Sequence, residues 1–367
     1  MPKPTSLIFV CELIYPFRIG GAEVFNHYLI RALEPSVPCI CLNSHTRASV
    51  DGIRHVKIKV PLQRLLFPFL AACSILWLNL SIRPHLVLSF GRSRWFYWMF
   101  YPLLRKLFGI RYSIIIHGGG LKRWKFKAPF VSLFRNADHV IGVSDRITAE
   151  YKKRTGVEVT TIPPLIPFAI SELEKHEARH TFNFKTTSKL IVMVGSLIEI
   201  KATDTAIKAL AALGRKYLDD NDIVLALGGD GVKRAEFEKV ARDCGVAYRV
   251  VFLGNVPREK VKHLYRSADI YVMTSKFEGT PISMLEAMAN SLPVLVSDAP
   301  GIDLIARNGE NALLFPIQNS EELASQLKRV LENDELKLKL QKGAKATIEA
   351  DFSYAKMIES YKSIFEV

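Results

Sequence analysis

KFEGTPISMLEAMANSLP, residues 276–293, follows almost directly on the apolar run Ile270–Met273. That run is short and rich in bulky side chains, as a buried strand should be. Glu278 and Gly279 then read as a turn, with Thr280 placed to cap a helix and Pro281 at its first position, where a missing N–H is tolerated. Met284, Leu285 and Met288 recur at helical spacing, and the helix runs out near Asn290. Pro293–Val296 then opens another short apolar run. Strand, turn, helix, strand is a βαβ unit, and such units build parallel sheets.

The same alternation extends both ways. C-terminal to residue 189 the spacing predicts strands at Leu190–Val194, Ile223–Leu227, Arg249–Leu253, Ile270–Met273 and Pro293–Val296. Helices are expected near Asp204–Tyr217, Lys233–Cys244, Arg258–Ser267, Ile282–Ala289, Ser320–Glu332 and Glu335–Ala350. Before residue 163 the strand-like runs are Leu7–Val10, Leu86–Phe90, Tyr112–Ile116 and His139–Val143, with a helical pattern over Ala22–Leu33. Between the two series lies a polar stretch, 169–188, that reads as a linker. The expectation is an α/β chain of two Rossmann-like, doubly wound domains facing a cleft: 1–168 and 189–352. In such sheets ligands bind beyond the carboxyl ends of the strands.

Length and composition agree. A chain of 367 residues has room for two domains. Apolar residues at 49% and charged residues at 23% are those of a globular protein and exclude a disordered or fibrous one. The five cysteines, Cys11, Cys39, Cys41, Cys73 and Cys244, form no C-x-x-C pair, so a disulfide scaffold or zinc ribbon is not expected. The net charge of +14 is one-sided. Residues 1–165 carry 23 Lys and Arg against 8 Asp and Glu, whereas residues 166–367 carry 27 against 28. A field of that kind points to an anionic partner for the first half.

Neither apolar candidate segment reads as membrane-spanning. LIFVCELI, residues 7–14, is interrupted by Glu12 and reads as a first strand. Leu65–Leu80 has 16 residues, contains Pro68 and Asn79, and is shorter than the ~20 needed to cross a bilayer. It reads as a buried or partly interfacial helix. Cytosolic chemistry fits best.

Four local signals carry possible chemistry. Glu278 and Glu286 flank the start of one helix, and two carboxylates suit sugar hydroxyls because each accepts directed hydrogen bonds. One capping and one surface glutamate would fit as well. VGSLIEIK, residues 194–201, places Gly195 at a strand end and Lys201 near a helix start, where an ammonium can meet a phosphate. Gly20 and Gly21 precede the first helix and allow close backbone approach. His117 closes the strand Tyr112–Ile116 and precedes Gly118-Gly119-Gly120. A satisfied structural histidine is the alternative there.

The order, spacing and context of these four signals resemble the family 4 glycosyltransferases, retaining enzymes of the two-Rossmann-domain GT-B fold. EGTPISMLEAMANSLPVLVSD is similar to that family's E-x(7)-E element, and GSLIEIK to its G-R-L-x-x-x-K segment. LGGDG at 227–231 and FLGNV at 252–256 resemble the strands around its nucleotide pocket. DFSYAKMIESYKSIFEV resembles its last helix, which crosses back to the first domain, so 353–367 is expected there.

The resemblance implies roles for particular residues. Glu286 would bind the ribose, and Glu278 with the amides of Gly279 and Thr280 the donor sugar. Lys201 would neutralise the diphosphate, beside Gly195 and Ser196. Phe252, Leu253 and Gly254 would line the base pocket, His117 would sit beside the sugar, and Gly20 and Gly21 would border diphosphate and acceptor. The implied activity is a hexosyltransferase reaction from a UDP- or GDP-linked sugar. Configuration would be retained, with no metal and no protein nucleophile. Asp220-Asn221-Asp222 has the D-x-D letters but reads as a polar loop, not a metal site. Ser196 stands where the family usually has Arg, which leaves a non-catalytic scaffold or partner subunit as the alternative.

Arg92–Lys127 interleaves nine Lys and Arg with aromatic residues and contains no acid. Such a stretch suits an anionic membrane surface, with Arg105, Lys106, Lys122 and Arg123 as the face. A buried aromatic core with solvated charges is the other reading. Docking there would place the protein on the inner face of the cell membrane with a lipid-linked or saccharide acceptor. No nucleic-acid module is recognisable, so no nucleic-acid partner is expected.

Overall fold

The computed structural model describes residues 6–10, 21–43, 54–57, 75, 84–90, 100–117, 127–163, 168–278, 281–303 and 305–367. The chain divides into two compact units, Met1–Pro167 with Ser353–Val367, and Phe168–Phe352. Each is a parallel sheet with helical crossovers.

In the first unit seven strands are paired: β1 (Ser6–Val10), β2 (Cys39–Asn43), β3 (Arg54–Lys57), β4 (Pro84–Phe90), β5 (Arg111–Ile116), β6 (His139–Gly142) and β7 (Thr160–Thr161). Their order is β3-β2-β1-β4-β5-β6-β7. β1 is buried at all five positions and β5 at five of six. Strands buried on both faces read as continuous apolar runs, which is why LIFV and YSIII are legible without alternation. The order reverses between β1 and β4, making a topological switch point at their carboxyl ends.

The last helix, Tyr354–Phe365, belongs to this unit. Its Met357, Tyr361 and Phe365, four residues apart, are all buried. Tyr361 meets Phe25 edge-on with ring centroids 5.9 Å apart, and Phe365 meets His85 at 5.9 Å. Each such side chain contributes about 1.5–3 kcal/mol by leaving water, enough to anchor the helix.

In the second unit the strands are β8 (Lys189–Val194), β9 (Ile223–Gly228), β10 (Val250–Gly254), β11 (Ile270–Met273), β12 (Val294–Ser297) and β13 (Leu313–Phe315). Their order, β10-β9-β8-β11-β12-β13, reverses between β8 and β11. Ile191, Leu225, Val272, Leu295 and Phe315 form its core with Ile207, Leu210 and Leu327 from covering helices.

Three expectations are corrected here. The stretch 169–188 is part of the second unit, not a linker. It forms the helix Lys175–Thr181, and Asp269 accepts from Lys175 at 2.5 Å and from Arg179 at 2.7 Å. The helix expected over Asp204–Tyr217 is two, Thr203–Ala212 and Arg215–Asp220, broken where Gly214 takes φ +82°. The helix in the 276–293 stretch starts at Ile282, one residue later than expected. The carbonyl of Pro281 accepts its first N–H groups, from Met284 at 3.0 Å and Leu285 at 3.1 Å. Thr280, the expected cap, lies outside the described residues, as does the 65–80 run apart from Ile75. Among the described residues no helix is long and apolar enough to cross a membrane.

Candidate active site

The switch point of the second sheet brings together two segments far apart in sequence. β8 runs into Gly195 and a 3-10 turn, Glu199–Lys201; β11 runs into Thr274–Glu278. The two segments are tied by hydrogen bonds to backbone carbonyls. The Thr274 hydroxyl donates to the Lys201 carbonyl at 2.8 Å, and the Lys276 N–H donates to the Ile200 carbonyl at 2.8 Å. Ala202, buried and at φ +45°, closes the turn in a conformation that strains any non-glycine residue by about 1–2 kcal/mol. Strain of this kind concentrates at functional sites.

The result is a direct contact. Lys201 Nζ lies 2.5 Å from Glu278 Oε1, with side chains 21% and 9% exposed. Ser275 Oγ donates to the same carboxylate oxygen, also at 2.5 Å. The chain beyond β12 holds Glu278 from behind. The Glu278 N–H donates to the Pro300 carbonyl at 3.0 Å, and a Cβ on Gly301 would lie 2.0 Å from the Glu278 carbonyl oxygen. Only glycine fits at that approach, and Gly301 also takes φ +97°. Asp303 Oδ1 accepts from the Gly301 N–H at 2.7 Å, which braces this turn.

Glu286 sits on the following helix, Ile282–Ala289, and is 5% exposed. Its Oε2 accepts from the buried Tyr265 hydroxyl at 3.0 Å, and its Oε1 is ion-paired with Arg258. The charged carboxylate is therefore compensated on both oxygens. Burial and the neighbouring Glu286 carboxylate push the Tyr265 phenol well above its ordinary range, so it stays a hydrogen-bond donor.

At the carboxyl ends of β8, β9 and β10 four glycines meet. The Gly195 N–H donates to Gly228 O at 2.9 Å, and the Gly229 N–H to Gly254 O at 2.8 Å. A Cβ on Gly229 would lie 2.0 Å from the Gly195 carbonyl oxygen. Phe252, Leu253 and Gly254 are half-buried at this edge, and the Arg234 guanidinium lies over the Phe252 ring at 5.9 Å. Ser196 is exposed. Asp220 and Asp222 are spent on Lys216 at 2.7 Å and Arg249 at 2.5 Å. Among the described residues no group of three or more His, Cys, Asp or Glu side chains is arranged to hold a metal.

In the first unit His117 follows β5. Its Nε2 lies 3.0 Å from Ser89 Oγ on β4, and Phe25 meets its ring edge-on at 4.8 Å. Burial lowers its pKa to about 4, so the ring is neutral at physiological pH. Gly21 opens the helix Gly21–Leu33. Gly20, Gly279, Thr280, Lys122 and Arg123 lie outside the described residues.

One part of the expected basic face is corrected. Arg105 donates to Asp138 Oδ2 at 2.6 Å, which also accepts from the Tyr112 N–H at 3.0 Å. That ion pair holds Asp138 below the usual carboxylate range, against the opposing effect of burial. Arg105 is thus occupied within the unit, while Lys106 remains exposed. The same helix, Phe100–Phe108, exposes Leu103, Leu107 and Phe108 at 50–61%.

The family model described as glycosyl transferases group 1 matches residues 174–347, and the one described as Glycosyltransferase Family 4 matches residues 19–169. The chain belongs to this family. As a family 4 member it is similar to an uncharacterized glycosyltransferase of Haemophilus influenzae, 31% identical over 182 residues, 49% of this chain and 50% of that one. It is also similar to the lipopolysaccharide core biosynthesis glycosyltransferase LpsE of Rhizobium meliloti, 26% identical over 63% of this chain and 65% of that one. The matches span about half the length of the first curated relatives. Among solved structures, Anabaena Alr3699/HepE in complex with UDP and glucose superposes with a TM-score of 0.79 at 16% identity, covering 99% of both chains. Sucrose-phosphate synthase from Thermosynechococcus elongatus gives 0.80 at 18%, covering 99% of this chain and 98% of that one. These are GT-B structures, and the family 4 chain shares their fold.

Sequence reading of this family member missed Arg258, Tyr265, Ser275 and Ser89. Each makes a polar contact to a residue it had singled out. Arg258 opens a helix directly after Pro257, a visible signal; the others carry none, because serine and tyrosine are ordinary in such elements.

Proposed function

We propose that this chain moves a hexose from a nucleoside-diphosphate donor to a lipid-linked or polysaccharide-precursor acceptor, with retention of configuration. The observation that carries the reading is the Lys201–Glu278 contact at the switch point, with Glu286 buried on the helix that follows. An ammonium and a carboxylate that neutralise one another are ready partners for an anion and for hydroxyl groups. An incoming diphosphate takes Lys201; the freed Glu278 accepts hydrogen bonds from sugar hydroxyls. Glu286 accepts from the ribose, and β10 offers backbone to the base. That the Anabaena relative is described with UDP and glucose bound supports a nucleotide-linked donor of the UDP or GDP type.

The chemistry follows from charge. The bond between the anomeric carbon and the diphosphate oxygen breaks, and the nucleoside diphosphate leaves with the electron pair. The acceptor hydroxyl oxygen bonds the same carbon on the same face, and its proton passes to the departing phosphate oxygen. Lys201 and the free N–H groups at the start of the Ile282–Ala289 helix stabilise the developing negative charge. In this reading the protein supplies the positive charge and no metal is required; turnover in excess chelator tests that point.

Melting the protein with UDP and with GDP decides the donor, because a bound nucleotide raises the melting temperature by mass action. One of the two raises it, and Glu286→Gln removes the rise. No rise with either would overturn the reading. Ser196, an exposed hydroxyl where the family usually has Arg, favours a second reading, a scaffold or partner subunit that binds nucleotide without turning it over. Nucleotide binding without donor hydrolysis or transfer selects it.

We further propose that the first unit docks on the anionic inner face of the cell membrane. Leu103 and Leu107 stand four residues apart on one helix face beside Lys106 and Phe108. Apolar side chains flanked by cations insert at the headgroup boundary, and each nearby Lys or Arg adds about 1 kcal/mol. Co-flotation with phosphatidylserine vesicles, lost with neutral ones, is the expected result.

A further inference from the structure

Behind His117 runs a buried polar chain. Asn26 Nδ2 donates to Ser89 Oγ at 2.8 Å, and Ser89 Oγ lies 3.0 Å from His117 Nε2. Asn26 is 3% exposed and sits on the helix Gly21–Leu33, Ser89 on β4, and His117 at the end of β5. Three elements thus contribute one side chain each, beyond the carboxyl ends or at the edge of the first sheet's strands.

A hydroxyl has one proton and two lone pairs. Ser89 Oγ already accepts from Asn26, and among the described residues the only acceptor within its reach is His117 Nε2. A proton placed there makes Nε2 an acceptor, which leaves the neutral ring's own proton on Nδ1. The opposite polarity would run from His117 Nε2–H through Ser89 to a turned Asn26 carbonyl. It leaves both amide protons of a buried Asn26 without partners. The observed orientation leaves Asn26 Oδ1 unpaired among the described residues. An unpaired carbonyl oxygen is the lesser cost.

We propose that Asn26 and Ser89 are positioning residues that lock His117 in the Nδ1–H tautomer. The ring then presents one neutral N–H donor, and acts neither as a cation nor as a base. Burial supports this, since it holds the ring neutral. The step from tautomer to catalysis rests on the reading in which His117 meets the donor sugar: an N–H donor fits a sugar hydroxyl oxygen, whereas a bare ring nitrogen would need a hydroxyl proton.

Long-range ¹⁵N–¹H spectra of the full-length chain, labelled on histidine, test the lock directly. The His117 signals are assigned by their loss in His117→Gln. Wild type should show a protonated Nδ1 and a bare Nε2 at pH 7. Ser89→Ala should mix the two tautomers, and Ser89→Thr, which keeps the hydroxyl, should restore the single form. A protonated Nε2 in wild type, or a tautomer unchanged in Ser89→Ala, would overturn the proposal; the wild-type spectrum decides even if a variant fails to fold. Donor turnover is the separate arm. Ser89→Ala should lower kcat/KM by roughly tenfold, the loss of about one hydrogen bond, with recovery in Ser89→Thr. If turnover is unchanged while the tautomer shifts as stated, the lock stands and the sugar contact of His117 falls.

Discussion

The two units share the order of their first six strands and differ in how they hold polar groups at the carboxyl ends of those strands. The second meets charge with charge: Lys201 with Glu278, Arg258 with Glu286. The first meets a neutral histidine with hydroxyl and amide. Residues 1–165 carry a net +15 and residues 166–367 a net −1. One scaffold can therefore serve two recognition tasks. Paired opposite charges can be exchanged for those of an ionic ligand, whereas a neutral relay sets the direction of a single hydrogen bond. Partly buried pairs suit the first task because each partner alone is costly to leave uncompensated.

The contrast can be broken by substitution. The largest effect is expected from Lys201→Ala. Removing a cation aimed at developing phosphate charge costs about 10²–10³ in kcat, and single-turnover kinetics with saturating donor measures it. The same removal in the first unit, Lys106→Ala, should leave that rate unchanged.

Next in size is the docking surface. Leu103→Asp with Leu107→Asp replaces two half-exposed apolar side chains by charges. Membrane affinity should fall by roughly tenfold or more, at about 0.8 kcal/mol for each buried CH₂ lost. Vesicle flotation reads it, and equal flotation of variant and wild type would remove the surface.

Acid separates the units in a third way. Burial lowers His85 and His117 of the first unit to about 4, outweighing the pull of Asp138 on His85. Unfolded histidine titrates near 6.5, so the unfolded chain binds the extra protons. Stability of the first unit is complete above about pH 6.5 and declines as pH falls toward 4. In the second unit Asp222 is held below its ordinary range by Ser188 and Arg249, and its contribution is lost only when pH falls below the usual carboxylate range. Trp77, Trp95, Trp98 and Trp124 all fall, in sequence, within the range Met1–Pro167. Tryptophan emission should therefore melt several degrees lower at pH 5 than at pH 7, with a smaller shift in far-UV circular dichroism. Coincident shifts of equal size would show that the two units unfold as one.

The smallest effect belongs to Arg258→Ala. It leaves Glu286 with Tyr265 alone and should weaken nucleotide binding by about threefold to tenfold with little change in kcat. Isothermal titration measures the first and steady-state kinetics the second. A large fall in kcat would assign Arg258 to the chemical step instead.

Much of the fold was legible because its signals are local. A buried parallel strand is a continuous apolar run, and Ile270–Met273 is the same in sequence and structure. The short strands β2, β3, β7 and β13 escaped the reading: Thr160–Thr161 and Leu313–Phe315 are too brief to show any period. Gly214 ends a helix that the apolar pattern alone extends to Tyr217, because its φ of +82° is invisible to periodicity.

By itself the sequence determined the class of fold and singled out the stretches that carry the second unit's candidate residues. Those rest on spacings of two to four residues and on motifs within one βαβ unit. Only the tertiary structure decided which side chains meet. Lys201 and Glu278 are 77 residues apart and touch because β8 lies beside β11. Asn26 reaches Ser89 across 63 residues, and Asp138 claims Arg105 across 33. Strand order is set by burial of whole elements against one another, and no local pattern encodes which carboxylate a given cation will find.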